Sequence, residues 1–137
     1  MLELHQFKHS AFCLKVRMGL QAKQLSHKLI EIAPGIGQVA IFRLSGQWQV
    51  PVLIDDGNVI TDSSSIIRYL EQKSSKVTLI PEDPKTASQV HLIEDWADTT
   101  LANAARASLL QAAAIDGQMR KALLPNDLPE PFRQMVG

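Results

Sequence analysis

This sequence is poor in cysteine and has no net charge. A single cysteine, Cys13, stands among 137 residues, which excludes an internal disulfide and a cysteine-rich zinc site and fits a reducing compartment. Fourteen lysines and arginines balance fourteen aspartates and glutamates, so the formal net charge is zero. Because no basic excess attracts polyanions, we expect neither nucleic acid nor an anionic membrane as a partner.

Long apolar runs are missing as well. No run in the sequence approaches the roughly 18 residues that a membrane span needs, and the N-terminus lacks the basic-then-apolar layout of a signal peptide. We therefore expect no membrane insertion and a cytoplasmic location. Hydrophobic residues make up 45% of the chain and charged residues 20%, a composition typical of a domain that buries a packed core.

The most informative stretch is residues 49–70, where two β-branched runs are followed by polar residues that open a helix. Asp56-Gly57 separates the two runs, and both residue types tolerate the positive φ angles of a tight hairpin turn. Asp62 and Ser63 then supply the oxygen acceptors that the unpaired N–H groups of a helix N-terminus need. The stretch predicts strand, turn, strand and capped helix.

A proline stands at the start of the first of these runs. Proline cannot donate to a sheet ladder and is tolerated mainly at strand ends or in a cis turn. We therefore predict a cis bond between Val50 and Pro51, and a Val50 backbone that presents its N–H and C=O to solvent or to a ligand.

The segments before this stretch predict alternating strands and helices. Residues 2–7 alternate imperfectly between apolar and polar types, and Ser10 precedes an apolar stripe at helical spacing that begins with Cys13. Residues 25–32 read as a second strand, and a short helix is indicated over about residues 38–44. The order is therefore βαβαββα, in which the first two strands, joined by a helix, are expected to be parallel.

Two motifs in this order resemble the glutathione-binding half of the thioredoxin-like domain in glutathione transferases. They are Val-Pro-Val-Leu at 50–53 and Asp-Ser-Ser-Ser-Ile-Ile-Arg-Tyr-Leu at 62–70. The sequence departs from the family at Ser65, where alanine is usual, and at 45–48, where Asn-Pro-x-Gly or Asn-Pro-x-Lys is usual. The resemblance implies an α/β thioredoxin-like domain (βαβαββα) at residues 1–78, followed by an incomplete all-α segment.

Residues 79–137 look like the beginning of the family's helical C-terminal domain. Asp83 and Pro84 form a helix start, and an apolar stripe over residues 90–108 predicts a long and largely buried helix. Because so short a segment can hardly close a core, we expect either a fragment of a longer protein or helices that depend on the first domain or a partner. Part of the stripe should then remain exposed.

Ser10 and Cys13 are the candidate catalytic residues. Ser10 matches the position of the family's catalytic serine or cysteine, at a helix N-terminus that stabilises an anion such as a thiolate, although such a serine is also a common N-cap. Ser10-x-x-Cys13 resembles a redox Cys-x-x-Cys whose first cysteine is replaced. Cys13 nevertheless lies on the apolar stripe, which favours a core role.

The resemblance also implies where glutathione binds. Asp62 and Ser63 would hold the γ-glutamyl end, with the carboxylate accepting from the ammonium group and the helix N-terminus facing the carboxylate. Val50 would pair its backbone with the cysteinyl unit beside Pro51, as in strand addition, and Gln49 would contact the glycyl end. The alternative for these residues is plain helix capping and a plain edge strand.

The implied function is that of a transferase. It would bind glutathione as co-substrate, without a metal, and activate its thiol for attack on an unidentified electrophilic small molecule, with a homodimer as the expected assembly. Two alternatives stay open: a non-catalytic glutathione-binding or protein-interaction module, and a glutaredoxin-like thiol reductase that uses Cys13. The four histidines show no metal-ligand spacing and are assigned to the surface or to strand edges, and Lys15 and Arg17 to solvated helix positions.

Overall fold

A four-stranded mixed sheet, in the order β2-β1-β3-β4, organises the first part of the chain. The computed structural model describes residues 1–33, 35–124 and 131. The strands are β1 (Leu2–Gln6), β2 (His27–Glu31), β3 (Val52–Asp55) and β4 (Asn58–Thr61). β1 and β2 are parallel, as predicted, whereas β3 runs antiparallel to both β1 and β4.

Three helices complete the predicted order βαβαββα. They are α1 (Ala11–Ala22), α2 (Ile36–Ser45) and α3 (Ser63–Lys73). Alternate residues of β1 and β3 meet residues of α1 and α3 in one core cluster, so these two helices cover the same face of the sheet. The buried members of that cluster are Leu2, Leu4, Val16, Leu20, Leu53, Ile66 and Leu70. This is the thioredoxin-like arrangement, and the sequence prediction of it is confirmed.

The local signals for turns and caps act as predicted. Asp56 and Gly57, between β3 and β4, have φ angles of 47° and 88°, the left-handed conformation that tight hairpin turns require. The Oδ1 atom of Asp62 accepts a hydrogen bond of 2.9 Å from the Ser65 N–H and so caps α3. Gly46, at φ 74°, ends α2.

Gly19 allows α1 and α3 to approach closely. A Cβ at this position would lie 2.5 Å from Cδ1 of Ile67, well inside van der Waals contact. Any larger residue would therefore force the Ile67 side chain of α3 to move. Because α1 and α3 carry the two candidate helix N-termini, this contact helps to set their separation.

Lys23 has the largest fully buried side chain among the described residues. Its Nζ lies 2.8 Å from Oε2 of Glu71 and donates to the Ser74 carbonyl at 2.7 Å. Glu71 also accepts from the Leu79 N–H at 2.9 Å. This ion pair therefore joins the C-terminal ends of α1 and α3 to the segment that follows.

A second polar cluster lies where β3 enters the hairpin. The buried carboxylate of Asp55 accepts from the Tyr69 hydroxyl and from the Lys73 ammonium group. The Lys73 hydrogen bond and then the Tyr69 hydrogen bond lower the pKa of Asp55 below its ordinary value. Both partners belong to α3, so the cluster ties the hairpin to that helix.

The chain forms two compact units, Met1–Ala87 and Ser88–Gly137. α4 (Pro84–Trp96) is capped by Asp83, whose Oδ2 accepts from the Thr86 N–H at 2.9 Å. A π-helical segment, Ala97–Leu101, separates α4 from the last two helices of the described chain, α5 (Ala102–Ile115) and α6 (Gly117–Leu123). None of the described helices is long and apolar enough to cross a membrane. The predicted boundary between residues 78 and 79 stays a prediction.

The prediction of a largely buried helix over residues 90–108 is wrong. Leu92, Ile93, Trp96 and Leu101 are all more than half exposed. The stripe runs through α4, the π-helical segment and the first half of α5, so the described residues of the second unit offer only the rest of α5 and α6 to cover it. The expected exposed apolar surface is therefore found on this segment.

Replacing Glu71 with glutamine tests the buried ion pair. Burial raises the pKa of Glu71, but the hydrogen bonds from Lys23 and Leu79 outweigh it, and its pKa lies below its ordinary value. Its contribution to stability is therefore present above the ordinary pKa and is lost as the pH falls through the folded-state value. We expect Glu71→Gln to lower the free energy of unfolding at neutral pH by about 3 kcal/mol, since it leaves a buried ammonium group uncompensated.

Urea unfolding followed by circular dichroism measures this change, and Glu82→Gln at an exposed position is the control. We expect the control to change stability by less than about 0.5 kcal/mol. The wild type should lose its advantage over Glu71→Gln in acid. A stability difference that stays constant down to the lowest pH would contradict this account.

Candidate functional site

The turn between β1 and α1 places Ser10 at the first helix N-terminus. Ser10 has extended backbone angles, φ −76° and ψ 126°, and its Oγ accepts from the Cys13 N–H at 3.4 Å. Its own N–H donates to the Phe7 carbonyl at 2.9 Å. A hydroxyl that accepts one hydrogen bond can still donate its own hydrogen. Ser10 is thus an N-cap whose hydroxyl hydrogen can turn either to the neighbouring Cys13 sulfur or to a ligand.

Gln49, Val50 and Pro51 form the segment that leads into β3. The Val50–Pro51 peptide bond is cis, as the sequence predicts. Pro51 is buried, Val50 is half-buried and Gln49 is exposed. In the described chain no hydrogen bond is found for the N–H or C=O of Val50. The segment before it contains Trp48, whose ring stacks on Phe42 with centroids 4.6 Å apart.

The N-terminus of α3 holds the second group of candidate residues. Asp62 adopts a positive φ of 67° and caps the helix, while the Ser63 side chain is buried. The next residue, Ser64, accepts from Nζ of Lys15 at 2.9 Å. The assignment of Lys15 to a simple solvated position is therefore wrong, because this lysine bridges α1 to the start of α3.

Strand register brings these three segments to one edge of the sheet, the edge at which β1 and β4 end and β3 begins. Val52 stands opposite His5, next to the end of β1, and the same Val52 stands opposite Thr61 at the end of β4. Ser10 follows β1, Pro51 precedes Val52, and Asp62 follows Thr61. Since neighbouring strands are about 4.8 Å apart, the β1 and β4 ends of this edge are separated by about 10 Å.

The assignment of Arg17 to a solvated position is also wrong. Its Nη1 donates to Oε1 of Gln6 at 2.5 Å, and its Nη2 donates to the Lys8 carbonyl at 3.1 Å. The sequence does contain a signal for this contact. Gln6 continues the inward-facing alternation of Leu2 and Leu4 and is 5% exposed, and a buried amide requires hydrogen-bond partners.

Cys13 lies inside the core. Its side chain is fully buried, and this burial raises the pKa of the thiol, although bonds from Phe7 and Ser10 act in the opposite direction. A raised pKa disfavours the thiolate, the form that attacks disulfides. The geometry favours the core role over the redox role.

The histidine assignment needs one correction. His5 lies on the central strand β1, and its Nε2 is buried without a hydrogen-bond partner in the described part of the chain. Burial lowers the pKa of its imidazole, which keeps the ring neutral. Among the described residues no three histidine, cysteine or acidic side chains are grouped so that they could hold a metal ion.

Comparisons with known proteins agree with this arrangement. A family model described as "Glutathione S-transferase, N-terminal domain" matches residues 4–78. Glutathione S-transferase 1 of Dianthus caryophyllus is 34% identical over 85 residues, which are 60% of this chain and 38% of that protein. The "Probable maleylacetoacetate isomerase" of Caenorhabditis elegans is 30% identical over 83 residues, 59% of this chain and 39% of that protein.

A solved structure extends the likeness to three dimensions. A glutathione transferase of Drosophila melanogaster superposes with a TM-score of 0.68 at 27% identity, over 72% of this chain and 47% of that chain. The chain spans about two fifths of the length of the curated relatives named above. Because the family model covers more than half of the sequence and the fold agrees with it, the chain belongs to the glutathione S-transferase family.

Proposed function

We propose that this chain binds glutathione along the sheet edge that carries Ser10, Pro51 and Asp62, and that Ser10 activates the glutathione thiol. The observation that carries the proposal is the register that brings the three segments together. An extended tripeptide spans about 10 Å, so one glutathione molecule is long enough to contact both Asp62 and Ser10, which are about two strand spacings apart.

The start of α3 suits the γ-glutamyl end of glutathione, which carries an ammonium and a carboxylate group. Asp62 uses Oδ1 to cap the helix, and a carboxylate has further acceptor sites for an ammonium group. The helix N-terminus beside Ser63 favours an anion through its N–H groups and dipole. The ammonium group of the ligand would thus lie near the Asp62 carboxylate, and its carboxylate group near the N-terminus of α3.

The segment before β3 suits the rest of the tripeptide. Val50 has a backbone N–H and C=O free of partners in the described chain, so an extended peptide can pair with them as an added strand. The exposed side chain of Gln49 is then close to the glycyl end. This pairing directs the cysteinyl side chain towards the β1 end of the edge, where Ser10 lies.

Ser10 would stabilise the thiolate in two ways. Its hydroxyl donates to the sulfur while its oxygen accepts from the Cys13 N–H, and connected hydrogen bonds polarise one another. The N-terminus of α1 adds a favourable dipole. The thiol proton leaves to solvent, and the thiolate sulfur uses its electron pair to form a bond with an electrophilic carbon. That carbon at the same time gives up its bond to a leaving group, or the π bond of an activated double bond, and the displaced electron pair goes to the leaving group or to the neighbouring atom.

Neither alternative function gains support. A thiol reductase that uses Cys13 conflicts with the buried thiol and its raised pKa. A non-catalytic binding module would bind glutathione without lowering the pKa of its thiol, which the experiment below decides. The homodimer stays a prediction from the family resemblance, and the cytoplasmic location stays a prediction from the composition of the sequence.

Ser10→Ala is expected to raise the pKa of the bound glutathione thiol. The hydroxyl supplies a charge-assisted hydrogen bond of about 1.5–3 kcal/mol, so its loss corresponds to a shift of about one to two pKa units. Titration of the ultraviolet absorbance of bound thiolate against pH measures the shift. Ser10→Thr should restore most of it, because threonine keeps both the cap and the hydroxyl, and exposed Ser75→Ala is the control. An unchanged thiol pKa in Ser10→Ala would remove Ser10 from the mechanism.

Cys13→Ser is expected to reduce stability and leave thiolate formation nearly unchanged. The substitution places a more polar hydroxyl in a core position where the cysteine is fully buried. Hydrogen bonds with Phe7 and Ser10 offset part of the burial cost, so we expect a loss of about 1 kcal/mol. Thermal unfolding and the same thiolate titration separate the two effects. A large loss of thiolate in folded Cys13→Ser, or a disulfide-reductase activity that depends on Cys13, would contradict the core role.

A further inference from the structure

The turn that leads to Ser10 is held by side chains from two other elements. Lys8 lies in this turn, two residues before Ser10, and both of its backbone polar groups have side-chain partners. Oε1 of Glu31, at the end of β2, accepts from the Lys8 N–H at 2.8 Å. Nη2 of Arg17, on α1, donates to the Lys8 carbonyl at 3.1 Å.

Glu31 and Arg17 are also connected to each other through the side chain of Gln6. Nη1 of Arg17 donates to Oε1 of Gln6, and Nε2 of Gln6 donates to Oε2 of Glu31 at 3.1 Å. The hydrogen bonds therefore form a closed ring through Lys8, Glu31, Gln6 and Arg17. Gln6 is buried in this ring, so the ring rests on the sheet itself.

We propose that Arg17 is a positioning residue that holds the Ser10 turn in the geometry needed for thiol activation. This inference rests on the proposed function. Arg17 follows Ser10 by seven residues, or about two helical turns, so it lies on the same side of α1 as the turn that it holds. In this role Arg17 acts through the backbone of Lys8 and the side chain of Gln6.

The guanidinium group suits this task better than an ammonium group. Arginine presents several N–H donors in a rigid fork, whereas lysine carries its donors on a single nitrogen. Arg17 uses the fork to bind a side-chain oxygen and a backbone oxygen at once. Misplacement of a reacting group by about 1 Å is enough to reduce a rate strongly. Loss of the two Arg17 hydrogen bonds should therefore displace Ser10 enough to weaken thiol activation.

The experiment compares Arg17→Met, Arg17→Lys and a control, Arg43→Met at an exposed position of α2, in the full 137-residue chain. The pKa of bound glutathione thiol is titrated by ultraviolet absorbance, and the dissociation constant is measured by calorimetry. We expect Arg17→Met to raise the thiol pKa by about one unit, a tenfold loss of thiolate below the pKa, with little change in the dissociation constant. Arg17→Lys should fall between Arg17→Met and the wild type.

Several outcomes overturn the inference. A thiol pKa at the wild-type value in folded Arg17→Met, with only a lower melting temperature, would make Arg17 merely structural. If the bound thiol has the same pKa in Arg17→Lys as in the wild type, the positive charge alone would be responsible, and the positioning role would be refuted. Should Arg17→Met fail to fold, Glu31→Gln breaks the same ring at the surface and is expected to raise the thiol pKa by a smaller amount; no rise there refutes the proposal.

Failure of the proposed function gives a different result. If the wild-type chain binds no glutathione, or binds it without lowering the thiol pKa, the proposed function fails and takes this inference with it. If the wild type lowers the thiol pKa and both ring variants do so equally, only the role of Arg17 is refuted.

Discussion

The antiparallel pairing of β3 with β1 is the constraint on which the rest of the arrangement depends. Leu53 stands opposite Leu4, and both are fully buried in the core beneath α1 and α3. A slip of one residue would turn the inward side chains of β3 to the opposite face. The core therefore sets the register, and the register places Pro51 and Asp62 at the edge where Ser10 follows β1.

Short-range signals in the sequence account for much of this fold. The Asp56-Gly57 turn, the caps at Ser10 and Asp62 and the order of strands and helices follow from residues that act on their immediate neighbours. Ser10, Pro51 and Asp62 are parts of the same signals, whereas Gln49 and the predicted role of all four residues in binding glutathione come from the family resemblance.

Contacts between distant parts of the chain were beyond such reasoning. Lys23 and the Ser74 carbonyl are 51 residues apart, and Lys15 and Ser64 are 49 apart. A lysine in a helix is usually exposed. Only the folded chain shows that these two lysines donate hydrogen bonds from α1 and its C-cap to the two ends of α3. Arg17 differs from these lysines, because the alternation along β1 predicts an inward-facing Gln6 that needs a hydrogen-bond partner. The alternation does not tell which side chain is that partner.

The exposed apolar stripe of the second unit shows a limit of another kind. Periodicity in residues 90–108 correctly indicates helix, but it cannot tell whether anything covers the apolar side chains. Leu92 and Ile93 are exposed because packing depends on how many helices are present, and periodicity within one helix contains no information on that number.

Nuclear magnetic resonance of the ¹⁵N-labelled chain during titration with glutathione tests the central claim most directly. If one sheet edge forms the site, the amide signals of Ser10, Val50 and Ser63 should shift together with a single dissociation constant. Those of Asp56 and Gly57, in the hairpin turn at the opposite end of β3, should stay in place. Shifts confined to the hairpin end, or no shift at Ser10 while glutathione binds, would contradict the account.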